Sequence, residues 1–134
     1  MPEVSAVQPR RGSILVVEDS RDLRIAVEEL LALYGYLVDG ASTAEQALAC
    51  LLASPRRFAL MLLDLRLPGQ LSGYDVRARQ LADPDLSTLP TVVVTALEPP
   101  AEDRLVLHSD DWLEKPFRGD ALLEVVKRYV VPGE

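Results

Sequence analysis

The chain has 134 residues and a net charge of −7, which suits one domain and argues against direct nucleic-acid binding, because such binding uses basic surface to neutralise phosphates. Its one cysteine, Cys50, excludes an internal disulfide, and with the single His108 it excludes a Cys/His metal cluster, so a reducing, cytoplasmic setting is expected. No stretch approaches the roughly 18–20 apolar residues of a membrane span, and residues 1–11 lack the apolar centre of a signal peptide.

The first predicted unit is a strand followed by a helix. The strand covers residues 14–17, an apolar run rich in β-branched side chains, and it ends on Glu18 and Asp19. Apolar residues then recur at helical spacing, with Ser20 in the position of an N-cap and Gly35 as the stop signal. An acidic pair therefore lies at the carboxyl end of a buried strand.

The second and third strands follow in the same way. Residues 36–38 predict a short strand, after which Ser42 and Glu45 have the spacing of a capping box at the start of helix 2. Residues 58–64 form an unbroken apolar run that stops on Asp64. Such a run is typical of a parallel strand that is covered on both faces by helices.

The remaining elements continue the alternation to the end of the chain. They are helix 3 at about 74–82, strand 4 at 91–95, helix 4 at 101–107, strand 5 at 111–114, and a last helix with Leu122, Val125, Val126 and Tyr129 on its inward face. Helix 3 has only a weak apolar face. Pro99 and Pro100 restrict helix 4 to about two turns.

Alternating strands and helices predict an α/β fold. We expect a doubly wound, five-stranded parallel sheet with strand order 2-1-3-4-5, right-handed crossovers and helices on both faces. The domain is expected over residues 13–130, between a flexible N-terminal arm at 1–12 and a C-terminal tail at 131–134.

In this fold the carboxyl ends of strands 1, 3, 4 and 5 are neighbours. They carry Glu18 and Asp19, Asp64, Thr95 and Lys115, respectively. Three adjacent carboxylates repel one another unless a cation is present, and Mg²⁺ suits a site with few carboxylates and several waters. Beside such a cation and an ammonium group, Asp64 is placed to accept a phosphoryl group as a nucleophile.

The same residues form a family pattern. That pattern is an acidic pair after strand 1, Asp after strand 3 with Pro four residues later, Thr or Ser after strand 4, and Lys-Pro after strand 5. It occurs here as Glu18-Asp19, Asp64 with Pro68, Thr95-Ala96 and Lys115-Pro116. Over residues 13–130 the chain resembles the receiver domain of two-component response regulators, with its flavodoxin-like, chemotaxis-regulator-like fold.

The resemblance implies a role for each residue. Asp64 would accept phosphate from a phosphohistidine on a sensor histidine kinase or a histidine phosphotransfer protein. Glu18, Asp19, Asp64 and the backbone carbonyl of Arg66 would hold Mg²⁺. The Thr95 hydroxyl, together with the lysine after strand 5, would contact the phosphoryl oxygens.

The resemblance also implies a switch. Trp112, three residues before Lys115, would swing inward when Thr95 moves toward the phosphate, and the face of helix 4, strand 5 and helix 5 would then bind a downstream protein partner or a second copy. Trp is uncommon at this position. The loop 69–73 holds one residue more than usual and the segment 95–115 is about two residues short.

Alternative interpretations remain open at this stage. Asp64 alone could cap a turn, the acidic pair could stabilise the N-terminus of helix 1, and Trp112 could be a packing aromatic. As a whole, the chain is interpreted as a signalling phospho-acceptor with slow self-hydrolysis rather than an enzyme. An interaction domain independent of phosphorylation is an alternative, and so is an aspartate-nucleophile phosphatase, although Arg66 lies where such enzymes place a second acid.

Overall fold

The structure is a computed structural model that describes residues 8–133. Strands and helices alternate as β1 (Ser13–Val17), α1 (Arg21–Leu33), β2 (Val38–Ala41), α2 (Ala44–Ala53), β3 (Phe58–Asp64), α3 (Gly73–Ala82), β4 (Thr91–Thr95), α4 (Ala101–Leu107), β5 (Asp111–Glu114) and α5 (Gly119–Lys127). The five strands pair in parallel in the order β2-β1-β3-β4-β5. The predicted fold class and strand order are confirmed.

Two layers of helices cover the sheet. α1 and α5 pack on one face, and α2, α3 and α4 pack on the other. Successive residues of a strand point to opposite faces, so Ile14 and Val16 of β1 join the first layer while Leu15 and Val17 join the second. Both faces of β1 and β3 are therefore dry, which explains why the two strands are apolar along their length.

The predicted limits of α1 are confirmed. The Ser20 hydroxyl accepts a hydrogen bond from the Leu23 amide at 3.3 Å and caps the N-terminus. Gly35 follows the last turn with a φ of +90°, a conformation that glycine adopts without a steric penalty. The N-terminus of α1 consequently lies directly after the acidic end of β1.

The predicted position of β2 is wrong by two residues. Val38 is the first residue that pairs with β1, opposite Ile14, and pairing continues to Ala41. Tyr36 is instead buried in the core beneath the end of α1. A three-residue apolar run does not distinguish a strand from a core-packing connection, and pairing with β1 decides between them.

The predicted capping box of α2 does not form at Ser42 and Glu45, and the N-cap is Thr43, one residue later. The Thr43 hydroxyl, not that of Ser42, accepts from the N3 amide, which belongs to Gln46, at 3.1 Å. The Gln46 side chain in turn accepts from the Ser42 amide at 2.8 Å. Both Ser42/Glu45 and Thr43/Gln46 have suitable spacing, and the extension of β2 to Ala41 selects the later pair.

The N-terminal segment contacts the C-terminal one where both are described. The Arg10 amide donates to the Tyr129 carbonyl at 2.9 Å, and the Val131 amide donates to the Arg10 carbonyl at 2.9 Å. Residues 1–7 and 134 lie outside the described part of the chain. The predicted boundaries of arm, domain and tail stay predictions.

Between residues 8 and 133, no helix has the length and apolar character needed to cross a membrane.

Candidate functional site

The predicted acidic cluster is present at the carboxyl edge of the sheet. Glu18 follows β1, and Asp64 is the last residue of β3. Glu18, Asp19 and Asp64 each offer a carboxylate oxygen within 4.8 Å of the others. Glu18 and Asp64 are only 4% and 5% exposed, whereas Asp19 is exposed. The apolar strands thus bring two carboxylates into a nearly dry position and a third to its rim.

Lys115 connects the two buried carboxylates. Its Nζ lies 2.6 Å from Glu18 Oε1 and 3.0 Å from Asp64 Oδ2. Burial raises the pKa of Glu18, and the contact with Lys115 opposes that shift. For Lys115, burial lowers the pKa, but the hydrogen bonds to Glu18 and Asp64 outweigh it and the pKa is raised. The ammonium group is therefore held charged between two acids.

Backbone donors orient the second oxygen of each buried carboxylate. Glu18 Oε2 accepts from the Ser20 amide at 3.0 Å, and Asp64 Oδ1 accepts from the Arg66 amide at 2.9 Å. Arg24 donates from Nη1 to the carbonyl of Glu18 at 2.9 Å. The sequence analysis did not single out Arg24. The sequence could have indicated a role for Arg24, because α1 begins directly after the acidic pair and the first turn of the helix therefore lies beside the site.

The donor set fits a hard divalent cation. Three carboxylates face one ammonium group, which leaves negative charge uncompensated in a site that is mostly shielded from water. Oxygen ligands are those that Mg²⁺ takes in proteins, and it keeps several waters when few carboxylates are present. The ligand role expected for the Arg66 carbonyl stays a prediction.

Thr95 lies at the same edge but its hydroxyl contacts neither Asp64 nor Lys115. Thr95 Oγ1 donates to the Leu97 carbonyl at 2.7 Å and accepts from the Leu97 amide at 3.3 Å. These two bonds close a local turn in the loop between β4 and α4. Contact between Thr95 and a phosphoryl group would require this turn to open.

Trp112 is partly buried beneath α4. Its indole packs against Leu65, Val93 and Leu107. The guanidinium carbon of Arg104 lies 4.9 Å from the ring centroid, within the range of a cation–π interaction. A cavity of about 110 Å³ is lined by residues that include Thr95 and Trp112, so the two expected switch residues share one space. The switch itself stays a prediction.

Gly73 allows α3 to start against the end of β3. A Cβ atom at this position would lie 2.3 Å from the Asp64 carbonyl oxygen and 2.7 Å from Leu65 Cα, both of them backbone atoms. The Gly73 amide also donates to the Leu65 carbonyl at 3.1 Å. The missing side chain at Gly73 therefore helps to set the position of Asp64.

We expect Gly73→Ala to lower the free energy of unfolding by about 1–3 kcal/mol, because the backbone around Asp64 must shift to admit a methyl group. Chemical denaturation measures this difference. Gly119→Ala is the matched control, since its Cβ would meet only the flexible end of Leu30, at 3.0 Å. Equal stabilities for the two variants would contradict the close approach.

Comparisons with known proteins agree with this geometry. The family model of the response regulator receiver domain matches residues 14–127. The C4-dicarboxylate transport transcriptional regulatory protein DctD of Rhizobium meliloti is 35% identical over 120 residues, which cover 87% of this chain and 25% of DctD. This chain therefore spans about a quarter of the length of that relative.

Two solved structures show the same architecture. The chemotaxis protein CheY4 of Vibrio cholerae has a TM-score of 0.80 at 24% identity, covering 90% of this chain and 99% of that one, and supports the fold alone. The Mn²⁺-bound response regulator Rcp1 has a TM-score of 0.69 at 31% identity, covering 87% and 89% of the two chains. Since the family model also covers most of the sequence, the chain belongs to the family of response regulator receiver domains.

Proposed function

We propose that this receiver domain is a phospho-acceptor switch in which Asp64 takes up a phosphoryl group in a Mg²⁺-dependent reaction. The observation that carries the proposal is the placement of Asp64, which is 5% exposed, beside Lys115 at 3.0 Å and two further carboxylates. A carboxylate in this position lies next to the positive charge of Lys115, which suits a nucleophile for phosphoryl transfer. The output of such a switch is binding, not turnover.

The reaction exchanges one bond to phosphorus for another. A carboxylate oxygen of Asp64 forms a bond to phosphorus as the bond to the donor breaks, and the leaving group keeps the electron pair. Charge then spreads over the three remaining phosphoryl oxygens. Lys115 can move with these oxygens, and Thr95 can donate its hydroxyl to them once it leaves Leu97.

Glu18, Asp19, Asp64 and the Arg66 carbonyl are the groups that we propose to hold Mg²⁺. When bound, the ion would supply positive charge against the phosphoryl oxygens. The Mn²⁺-bound form of Rcp1, a relative in sequence and fold, supports the binding of a divalent cation by this domain. The uncompensated negative charge of the three carboxylates is an independent reason for a cation here.

The proposed donor is a phosphohistidine on a sensor histidine kinase or a histidine phosphotransfer protein. The proposed receiver of the signal is a protein that binds the face formed by α4, β5 and α5. Leu105 and Val106 of α4 are 73% and 65% exposed, and exposed apolar residues support a protein-binding role for this helix. A shift in the population of this face would follow from the movement of Thr95 and Trp112.

The test is incubation of the protein with a small acyl phosphate, with Mg²⁺ or with a chelator, followed by intact-mass measurement. We expect one phosphoryl group per chain in Mg²⁺ and almost none in chelator, with peptide mapping that assigns it to Asp64. Trp112 is the single tryptophan, so its fluorescence should change in parallel. An absent adduct, or one on another residue, contradicts the proposal.

The same samples address the phosphatase alternative. A phospho-acceptor should hydrolyse only its own acyl phosphate, slowly, because Arg66 cannot serve as the general acid or base that turnover requires. Multiple turnover of an added phosphomonoester would instead favour an enzyme.

A further inference from the structure

The inward face of α3 carries two buried polar side chains outside the site described above. Arg77 is 3% exposed and Gln80 is fully buried. Arg77 donates from Nε to the Leu107 carbonyl at 2.7 Å and from Nη2 to the His108 carbonyl at 2.5 Å. Its Nη1 donates to Gln80 Oε1 at 2.8 Å. All three guanidinium nitrogens are engaged, and two of them hold the C-terminal end of α4.

Gln80 anchors this arrangement to the segment that enters β4. Its Nε2 donates to the carbonyls of Leu86 at 3.1 Å and Leu89 at 2.9 Å. Its Oε1 also accepts from the Thr91 hydroxyl at 3.2 Å. Because each polar atom of Gln80 has a partner, Gln80 can hold the guanidinium of Arg77 in one position.

The charge of Arg77 strengthens the arrangement. Asp110 Oδ2 lies 3.8 Å from Arg77 Nη2 and also accepts from the Thr91 amide at 2.8 Å. Burial lowers the pKa of Arg77 and Asp110 opposes the shift, while a guanidinium stays protonated at physiological pH. A buried charge is costly unless it is hydrogen-bonded, so displacement of the carbonyls of α4 from Arg77 is strongly unfavourable.

α4 depends on these contacts more than a longer helix would. Of its seven residues, only Leu107 is buried, and short helices have little intrinsic stability. His108 adopts a left-handed conformation with a φ of 46° at the C-cap, so Arg77 supplies donors where the last carbonyls lack partners. A second contact joins the helices, from the Tyr74 hydroxyl to Asp103 Oδ2 at 3.2 Å.

The other end of α4 is held by contacts nearer the surface, and the bond from Tyr74 belongs to this end because Asp103 lies in the first turn. Leu97 in the preceding loop is 62% exposed. Glu98 and Arg104 form an ion pair at 2.7 Å in which both side chains are substantially exposed, and such pairs contribute little to stability. The two ends of the helix thus differ in how firmly they are attached to the domain.

We propose that Arg77 is a positioning residue that clamps the C-terminal end of α4 onto α3. On the basis of the proposed function, the clamp confines the phosphorylation response to the loop at 96–100 and the first turn of α4. The segment 104–110, which runs from the last turn of α4 to the start of β5, keeps its position. A partner would therefore recognise a change in the loop next to a fixed helix end.

Amide hydrogen exchange followed by NMR tests the clamp, with Mg²⁺ and fluoroberyllate as the phosphoryl mimic. In the unmodified protein we expect the mimic to change exchange within 96–103 and to leave 104–110 unchanged. In Arg77→Leu/Gln80→Leu, which replaces the polar pair by apolar side chains, the change should extend through 104–110. The His108 amide, bonded to the Arg104 carbonyl at 3.3 Å, should exchange about tenfold faster even without the mimic.

Arg77→Lys keeps the charge but cannot span both carbonyls, so we expect an increase in the exchange of 104–110 that is smaller than in the double variant. This variant carries the test if the double variant does not fold. Arg79→Leu is the control, because it removes a charge of the same kind from the exposed side of α3. A mimic-induced change in exchange that already reaches 104–110 in the unmodified protein overturns the clamp. The clamp is also overturned if the Arg77 variants show the same exchange as the unmodified protein. No response anywhere in the chain overturns the proposed function as well.

Discussion

Replacing Asp64 with asparagine is expected to reduce phosphorylation by at least about a thousandfold while leaving the domain folded. The amide has the shape of the carboxylate but lacks a negatively charged oxygen that can attack phosphorus. Its carbonyl oxygen can still accept from the Arg66 amide, as Asp64 Oδ1 does at 2.9 Å, so the end of β3 should keep its geometry. Intact-mass measurement after incubation with an acyl phosphate and Mg²⁺ gives the yield.

Asp85→Asn is the matched control for this experiment. Asp85 is exposed and lies in the segment before β4, at the opposite edge of the sheet from Asp64. It removes the same charge without reaching the site, so we expect full phosphorylation. An Asp64→Asn variant that still accepts the phosphoryl group would show that another residue is the nucleophile.

Replacing Lys115 with methionine is expected to lower the free energy of unfolding by about 3 kcal/mol in chelator, because it leaves Glu18 and Asp64 buried without their positive partner. This is the lower end of the range for a broken buried pair, since the Lys115 side chain is 22% exposed. Added Mg²⁺ should recover part of the loss by binding only the folded state. Phosphorylation should slow by about a hundredfold to a thousandfold through loss of the ammonium group.

Denaturant unfolding with and without Mg²⁺ measures the first two effects, and intact-mass time courses measure the third. Lys127→Met is the control, because Lys127 is exposed on the last turn of α5. Lys115→Met with unchanged stability would mean that Glu18 and Asp64 need no compensating charge. A loss of stability that Mg²⁺ does not reduce would argue against cation binding by these carboxylates.

The centre of the fold could be predicted because β1 and β3 are covered on both faces. The runs at 14–17 and 58–64 have no polar interior residue, and no exposed element has that composition. The limits of α4 at 101–107 and β5 at 111–114 were also predicted correctly, since Pro99, Pro100 and the charged residues around β5 punctuate the chain. At the start of α2, Ser42 and Thr43 are each followed three residues later by Glu or Gln, and the predicted N-cap was one residue too early.

The position of α3 was predicted to within one residue, but its buried polar side chains were not predicted. Its apolar face looked weak because Arg77 and Gln80 occupy inward positions, and polar residues are ordinarily read as exposed. Both are buried because their partners, Leu107, His108 and Leu89 among them, come from distant parts of the chain. No local pattern contains those partners, so the buried network could not be predicted from spacing.

The sequence by itself determined the order of strands and helices and the identity of the acidic cluster and Lys115, because the acids follow apolar runs and Lys115 follows the short strand at 111–114. Only the tertiary structure decided which atoms meet. It joins Lys115 to both Glu18 and Asp64, and it holds α4 through Arg77. The physical reason is that hydrogen bonds and ion pairs depend on distances of a few ångströms between segments far apart in sequence, and such distances are set by packing of the whole domain.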